Sequence, residues 1–590
     1  MSHDLGDQSE TAKRWNVAAT IPDLVLNRLS GYHPVMAQVL YNRGQDTPDK
    51  ARAFLDGNGE LHDPFALSGM PQAVGRVRQA IKRGEQIIIY GDFDADGVTS
   101  TALLVQALQA FRARVAAYIP HRIDEGYGLN VEALQTLHRQ GAGLVITVDC
   151  GIRSVQEARY ARSIGLDLIV TDHHSVGDER PDDAVALINP KLDARLRLEE
   201  GRENGYPEDM LAGVGVAYKL AEALFRAAEG NDRRTPSFQP EDLLDLVALG
   251  TVADLAPLDR LENRELVRRG LDALNGAKRP GVYQLMDVAG VKPGQCSAMS
   301  IGFMLGPRIN AAGRLDSAMI AYELLTTQDI VRAADLAQQL QALNVQRQEL
   351  TSQALEVARD LAFDAGDDVP LIFAASPDFR PGIVGLVAGR LSEAYYRPAV
   401  VVHEGEVESR GSCRSINEFD ITAALDECAD LLVRHGGHAQ AAGFTVLNEN
   451  LPRLRDRLVE IAADKLAGRD LRPTLPIDAV VRSEHLSDLL AHELRRLEPT
   501  GAGNDAPVFA ARGLRVVEAR RVGQDGKHLK LRFANGGTYG IDAIAFRLGD
   551  WADRLEPMMD VAFHLELNEW NGRIKPQLNV QDLRPSGQFD

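Results

Sequence analysis

The stretch Ile87-Ile88-Ile89-Tyr90-Gly91-Asp92-Phe93-Asp94-Ala95-Asp96-Gly97, "IIIYGDFDADG", crowds three carboxylates into five residues straight after an apolar run. The uninterrupted β-branched run reads as a strand buried on both faces. Three like charges at its end repel one another, so a chain that keeps them there needs something positive beside them. The pattern returns downstream. Leu144–Val148 "LVITV" ends at Asp149, Leu168–Thr171 "LIVT" ends at Asp172-His173-His174, and the run Leu246–Gly250 "LVALG" leads to Asp254.

Helix-like pieces at 71–83 and 131–139 alternate with these runs and with Val185–Ile188 "VALI". Strand and helix in alternation predict a parallel sheet covered on both faces. In such sheets ligands bind beyond the carboxyl ends of the strands. Five or six carboxylates and two imidazoles then converge on one crevice, which is self-repelling unless cations occupy it. Oxygen-rich ligation with one or two imidazoles suits manganese or magnesium, and zinc less well.

Each piece alone has a plainer reading. A single Asp at a strand end is more often a helix cap or turn residue than a metal ligand. "DFDADG" also matches the opening of an EF-hand loop, but the twelfth position is Leu103 rather than Glu, and a strand precedes it. "DADGV" is similar to the strand-end motif of haloacid dehalogenase-type phosphatases, a reading that leaves the histidine pair unexplained.

A chain of 590 residues is too long for one core and predicts several domains. Its net charge of −19 argues against indiscriminate coating of nucleic acid, so any polyanion site must be local. Cys150, Cys296, Cys413 and Cys428 are scattered, without a C-x-x-C pair, which fits a reducing compartment better than a disulfide framework. The opening "MSHDLGDQSETAKRW" lacks the apolar core of a secretory signal, and no apolar run is long enough to span a bilayer. A cytoplasmic protein without membrane contact is expected.

From Thr327 to Phe363 there is neither glycine nor proline. Leu336, Leu340, Leu343, Leu350, Ala354, Val357 and Leu361 recur at spacings of three and four, interrupted by Arg347. Thr327 or Asp329 is placed to cap a helix roughly 50 Å long at 1.5 Å per residue. An interdomain spacer is the expectation, ahead of a coiled-coil seam. Residues 368–470 read as a second α/β unit. From about 475 short strands separated by glycine turns predict a small antiparallel barrel.

"YGDFDADGVTSTALL", "VITVDCGI", "VTDHH" and "LGTVADLAPL" resemble, in order, the four metal-site motifs of the DHH phosphoesterase superfamily. "GPRINAAGRLDSA", "GSCRS", "GGHAQAAG" and "GAGNDAPVF" followed by "HLKL" resemble its bacterial RecJ branch. Phe93 stands where Tyr is frequent, and "TGAGND" is a loose version of the barrel's opening motif.

The resemblance implies an N-terminal segment (1–69) packing on a catalytic domain (70–325), a connecting helix (326–365), a DHH-associated domain (366–470) and an oligonucleotide-binding barrel (475–590). It implies a metal-dependent exonuclease that degrades single-stranded DNA from 5′ to 3′ in repair and recombination. Two divalent ions, Mn2+ or Mg2+, would be held by Asp94, Asp96, Asp149, His173 and Asp254, with Asp92 as a sixth ligand. Asp149 would be shared between them. His174 would face the phosphate, or else hold a ligand in orientation.

By the same resemblance Arg122, Arg314, Ser412 and Arg414 would hold a terminal 5′ phosphate, or one near the cut, and Arg308 and Asn310 are expected to bind the substrate as further phosphate grips. An ion pair between domains is the other reading for Arg308. His438 would touch a phosphate or cover the crevice, with a satisfied buried histidine as the alternative; His435 has no such support. In the barrel, Arg512, Arg515, Arg520, Arg521, Lys527, Lys530 and Arg532 outnumber Glu518 and Asp525. Phe533, Tyr539, Phe546 and Trp551 follow, and basic groups with stacking rings describe single-strand binding. Single-stranded DNA is the expected partner, with a single-strand-binding protein and a helicase as helpers and a monomer as the working form. Hydrolysis of short or cyclic nucleotides or of polyphosphate, and a non-enzymatic scaffold, are the competing readings. The barrel disfavours the first and the full ligand set the second.

Overall fold

The computed structural model describes residues 13–57, 61–122, 124–200, 205–228, 238–363, 369–534, 540–570 and 573–587. The N-terminal residues 1–12 and Tyr539 lie outside the described residues. The chain forms two compact units, one made of residues 63–254 and 269–473, the other of 13–62, 255–268 and the segment from 474 onward. No helix among the described residues is long and apolar enough to cross a membrane. All four cysteines are free and buried.

The first unit opens with a five-stranded parallel sheet. Its strands are β1 (Gln86–Gly91), β2 (Arg114–Tyr118), β3 (Ala142–Val148), β4 (Asp167–Thr171) and β5 (Ala186–Ile188), in the order β2-β1-β3-β4-β5. The central strands β1, β3 and β4 are buried at nearly every position, which is why they read as unbroken apolar runs. Their register pairs Gly91 with Val148 and Val148 with Thr171. Three adjacent strands therefore end level, and Asp92, Asp149 and Asp172 follow side by side.

Helix α1 (Ala95–Ala110) begins at once after β1, and α2 (Gly213–Ala228) packs against it. The run Leu246–Gly250, read as a strand from sequence, lies instead inside helix α3 (Leu244–Ala253), and Asp254 is its C-cap. Leu244 to Val252 is buried throughout, and a helix buried all round shows the same unbroken apolar run as a central strand.

Helix α4 (Gly306–Leu315) leads to α5 (Ile330–Phe363), whose cap is Asp329: its carboxylate accepts the Val331 N–H at 2.8 Å and the Arg332 N–H at 3.2 Å. α5 is not a free spacer. Its first half packs on α4 and on the helix Pro280–Ala289, its second half on strand β6 (Ile372–Ser376) and helix α6 (Val384–Tyr395). The buried face runs through Ala333, Leu336, Ala337, Leu340, Asn344, Thr351, Ala354 and Ala358. Val357 and Leu361, expected on the stripe, are 44% and 49% exposed. Small side chains let the helix approach its neighbours, and the larger residues beside them turn outward.

A second sheet in this unit adds to β6 the strands β7 (Ala399–His403), β8 (Glu408–Arg414), β9 (Leu432–His438) and β10 (Ala441–Leu447), in the order β9-β10-β8-β7-β6. Only β6 and β7 pair in parallel.

In the second unit, β11 (Phe509–Val522), β12 (His528–Phe533), β13 (Ile541–Ala545), β14 (Met558–Trp570) and β15 (Arg573–Pro585) form a barrel in the order β11-β12-β13-β15-β14, closed by β11 against β14. It is antiparallel except for the β13–β15 seam. Residues 13–62 belong with this barrel and not, as expected, with the catalytic domain. Strand Arg14–Val17 pairs with Thr474–Ile477, and Met36, Val39, Leu40 and Phe54 share one core with Phe509, Phe533 and Phe563. Burying these apolar side chains together drives that choice. Buried Arg264 fastens the unit, donating to the carbonyls of Phe54 (2.6 Å), Pro499, Leu497 and Glu498 (2.9 Å each).

Candidate active site

The carboxylates expected to meet do meet. Ligand atoms of Asp92, Asp94 and Asp149 lie within 4.8 Å of one another, as do those of Asp96, His173 and Asp254, and those of Asp149, His173 and His174. Backbone amides hold the side chains in place. The Asp94 carboxylate accepts the N–H groups of Asp96 and Gly97 at 3.0 Å and so caps α1. Asp96 accepts from Gly213 (2.7 Å) and Val214 (2.8 Å) at the start of α2. Asp149 adopts a left-handed conformation (φ 62°), which turns its carboxylate back toward the strand ends.

His173 Nε2 lies 3.0 Å from Asp149 Oδ1, 3.7 Å from Asp254 Oδ2 and 3.9 Å from Asp96 Oδ2. Despite that proximity, His173 Nε2, Asp149 Oδ1 and Asp92 Oδ1 are buried without a hydrogen-bond partner among the described residues. Donor atoms that converge but do not bond one another fit a common cation between them.

The electrostatics agree. Burial and acidic neighbours hold Asp92 and Asp149 well above the usual carboxylate range. The same two causes push Asp96 up to about 7 and Asp254 up to about 9. Burial and the adjacent His174 push His173 down to about 3, leaving the neutral imidazole a metal needs. His174 differs. Burial lowers its pKa, but the Asp172 carboxylate 2.7 Å from Nδ1 outweighs burial and raises it overall. Asp172 itself accepts N–H groups from Ile152, His173 and His174, so it orients the histidine pair.

Beside this centre stands a group of arginines. The Arg122 guanidinium lies 3.9 Å from the Phe93 ring centroid, and its Nε is buried without a partner. Arg314 donates to the Gly382 carbonyl at 3.2 Å. Burial, then Arg122, Arg347 and Arg414, push Arg314 down to about 10. Ser412 and Arg414 sit on β8 facing α6. A Cβ on Gly385 would lie 3.0 Å from Ser412 Oγ and 3.3 Å from Arg414 Nη2, so only glycine leaves the start of α6 open to them.

Asn310 and Arg308 have structural bonds. Asn310 accepts the Ala95 N–H at 2.8 Å, and Arg308 donates to Gln341 (2.8 Å) and the Met304 carbonyl (2.6 Å) rather than pairing with an acid. His438 is exposed at the end of edge strand β9, not buried, and His435 meets Asp426 at 2.7 Å. In the barrel, Phe533 is buried and Trp551 packs on the core, while Phe546 is 55% exposed.

Sequence reading missed three contributors. Tyr127 places its hydroxyl 3.3 Å from both ring nitrogens of His174. Gly213 abuts the centre, where a Cβ would lie 2.7 Å from Asp149 Cβ. The third is the start of α6, whose first N–H groups have no helical partner. "EGYG" and "PGIVG" carried the signal for the first and last, while Gly213 has no local signature.

Family models match in three places: the DHH family N-terminal domain at residues 86–251, the DHHA1 domain at 368–464 and the RecJ OB domain at 477–582. The chain is 38% identical over 580 residues to the single-stranded-DNA-specific exonuclease RecJ of Bacillus subtilis (strain 168), covering 97% of this chain and 71% of that one. The crystal structure of RecJ in complex with Mn2+ from Thermus thermophilus matches at a TM-score of 0.82 and 32% identity, over 98% of this chain and 80% of that chain. This chain belongs to the RecJ family.

A RecJ structure in complex with Mg2+ from the same organism also matches, at a TM-score of 0.75 and 30% identity, over 97% of this chain and 78% of that chain. The RecJ assignment accounts for the architecture: a parallel-sheet DHH domain, a DHHA1 sheet and a closed five-stranded barrel.

Proposed function

We propose that this chain is a metal-dependent exonuclease that hydrolyses single-stranded DNA from its 5′ end. The observation that carries the proposal is the convergence of buried, unbonded ligand atoms on a shared carboxylate, Asp149, which belongs to two of the three ligand groups. Divalent ions bound there, Mn2+ or Mg2+ and two in number, supply Lewis acidity and lower the pKa of an attacking water.

The residues do the rest. Asp92 and Asp94 form one ligand group with Asp149; Asp96, His173 and Asp254 form a second, and Asp149 Oδ1, 3.0 Å from His173 Nε2, reaches it as well. His174, whose pKa the Asp172 carboxylate raises, is placed to donate to a non-bridging oxygen of the scissile phosphate as charge develops there. Tyr127 fixes the His174 ring. Arg122, Arg314, Ser412 and Arg414, with the amides that open α6, hold the terminal 5′ phosphate by charge-assisted bonds. Polarity follows from that grip, because only a 5′ end offers the phosphate. The exposed Arg515, Arg520 and Lys527, with the Phe546 ring, give the barrel affinity for a single strand.

In this reading the protein acts in DNA repair and recombination in the cytoplasm as a monomer, beside a single-strand-binding protein and a helicase that expose its substrate. Two nucleic-acid-binding regions in one chain and four free cysteines support it. Digestion of oligonucleotides labelled at either end, single-stranded or duplex, with Mn2+ or Mg2+, is the test. Mononucleotide release from the 5′ end of single strands alone is expected; equal digestion of blunt duplex, or release from the 3′ end, would overturn the proposal.

A further inference from the structure

A second set of arginines lies outside the terminal grip. Arg308 comes from the start of α4, Arg347 from the middle of α5 and Arg390 from α6, and α5 packs against both other helices. The Arg308–Gln341 bond draws that guanidinium onto the face of α5, six residues before Arg347. Among the described residues Arg347 bonds only within its own helix, to Asn344 at 2.9 Å, and its Nε is buried without a partner. Burial and then the charges of Arg390 and Arg308 act on it, and no carboxylate does.

Arg308 and Arg347 are half-buried and Arg390 is exposed, and like charges brought together in this way gain nothing from one another in the protein alone. Acids to neutralise them are plentiful in a chain of net charge −19. On α5 itself Arg332 pairs with Glu323 and Asp335, and Arg359 with Asp360. Among the described residues, Arg308, Arg347 and Arg390 pair with none. An open set of guanidiniums is suited to an incoming phosphate.

The set adjoins the grip at Arg347, whose charge also acts on Arg314, and extends away from it through Arg308. Asn310 and Gly313, in the half of α4 that ends at Arg314, lie against the Phe93–Ala95 loop of the metal centre. Arg308 precedes Arg314 by six residues, roughly 9 Å along a helix axis.

We propose that Arg308, Arg347 and Arg390 form a second phosphate site, which takes a further phosphate of the strand whose 5′ phosphate occupies the grip. It rests on the exonuclease reading for the identity of the strand. The phosphate is either an internucleotide linkage or the outer phosphate of a 5′-polyphosphate end.

The test is a chemical double-mutant cycle. Twelve-nucleotide strands carrying one neutral methylphosphonate at each linkage in turn, and one strand with a 5′ triphosphate, are digested by wild type, Arg347→Gln, Arg390→Gln and Arg347→Lys. One linkage, or the triphosphate, should show a roughly tenfold effect on KM that Arg347→Gln abolishes rather than multiplies. Turnover at saturation should stay within about twofold, and Arg347→Lys should recover part of the loss. The salt dependence of binding should flatten by about 0.7 in log–log slope for the lost contact.

If wild type cleaves and every modification multiplies independently with Arg347→Gln, the second site is wrong and the exonuclease reading stands. If wild type does not cleave, that reading falls, and fluorescence anisotropy of the same strands without metal tests the site alone: coupling to Arg347 supports it and its absence overturns it.

Discussion

The carboxylate group and the arginine group of the first unit both gather like charges away from water, yet they are built differently. Short side chains carry the negative set, and backbone amides at helix starts fix Asp94 and Asp96. Long side chains carry the positive set, laid on the Phe93 ring or hung from the Gly382 carbonyl. The difference matches what each is proposed to hold. A resident ion demands distances fixed to a fraction of an ångström. A phosphate that arrives and leaves with each turnover is better met by a planar fork on a flexible stem.

The sharpest way to break this comparison is to remove one charge from each side. Asp149→Asn should lower the rate of single-strand cleavage on the order of 10³-fold, the scale of losing an electrostatic element of catalysis. Its thermal stability in EDTA should be unchanged or higher, because one of several repelling buried charges is gone. Arg414→Ala should behave in the opposite sense. It should cost about 10- to 100-fold in kcat/KM on 5′-phosphorylated strands, as expected for charge-assisted hydrogen bonds. It should change little on 5′-hydroxyl strands and leave Mn2+ affinity intact.

The two groups also differed in how far the sequence disclosed them. Asp92, Asp94, Asp96, Asp149, His173 and His174 follow apolar runs, and parallel register brings the ends of adjacent strands together. Asp254 was found for a reason that proved partly mistaken, since its apolar run is a buried helix rather than a strand. The arginines are scattered over almost 300 residues. Arg122, Arg314 and Arg414 were visible through their motifs, whereas Arg347 looked like a blemish in a helical stripe and Arg390 carried no signal. Their convergence depends on α4, α5 and α6 packing together, which no local pattern encodes. Residues 13–62 went astray for a similar reason: nothing in their apolar pattern says which distant core they join.

A smaller effect would sharpen the account of the acidic side. Asp96 at about 7 and Asp254 at about 9 stand above the value near 3.9 of an unfolded aspartate. Between those limits the folded, metal-free protein binds more protons than the unfolded chain, so its stability falls as pH rises. Protein stripped with EDTA should therefore melt lower at pH 9 than at pH 6, and added Mn2+ should narrow the gap.

Calorimetric titration of metal-free protein with Mn2+, run in parallel on wild type and Asp149→Asn, reaches the centre of the account. Two ions per chain should bind to wild type with release of protons, and the shared site should fail in the variant. Wild type that takes up no Mn2+, or a variant that takes up as much as wild type with the same affinity, would contradict it.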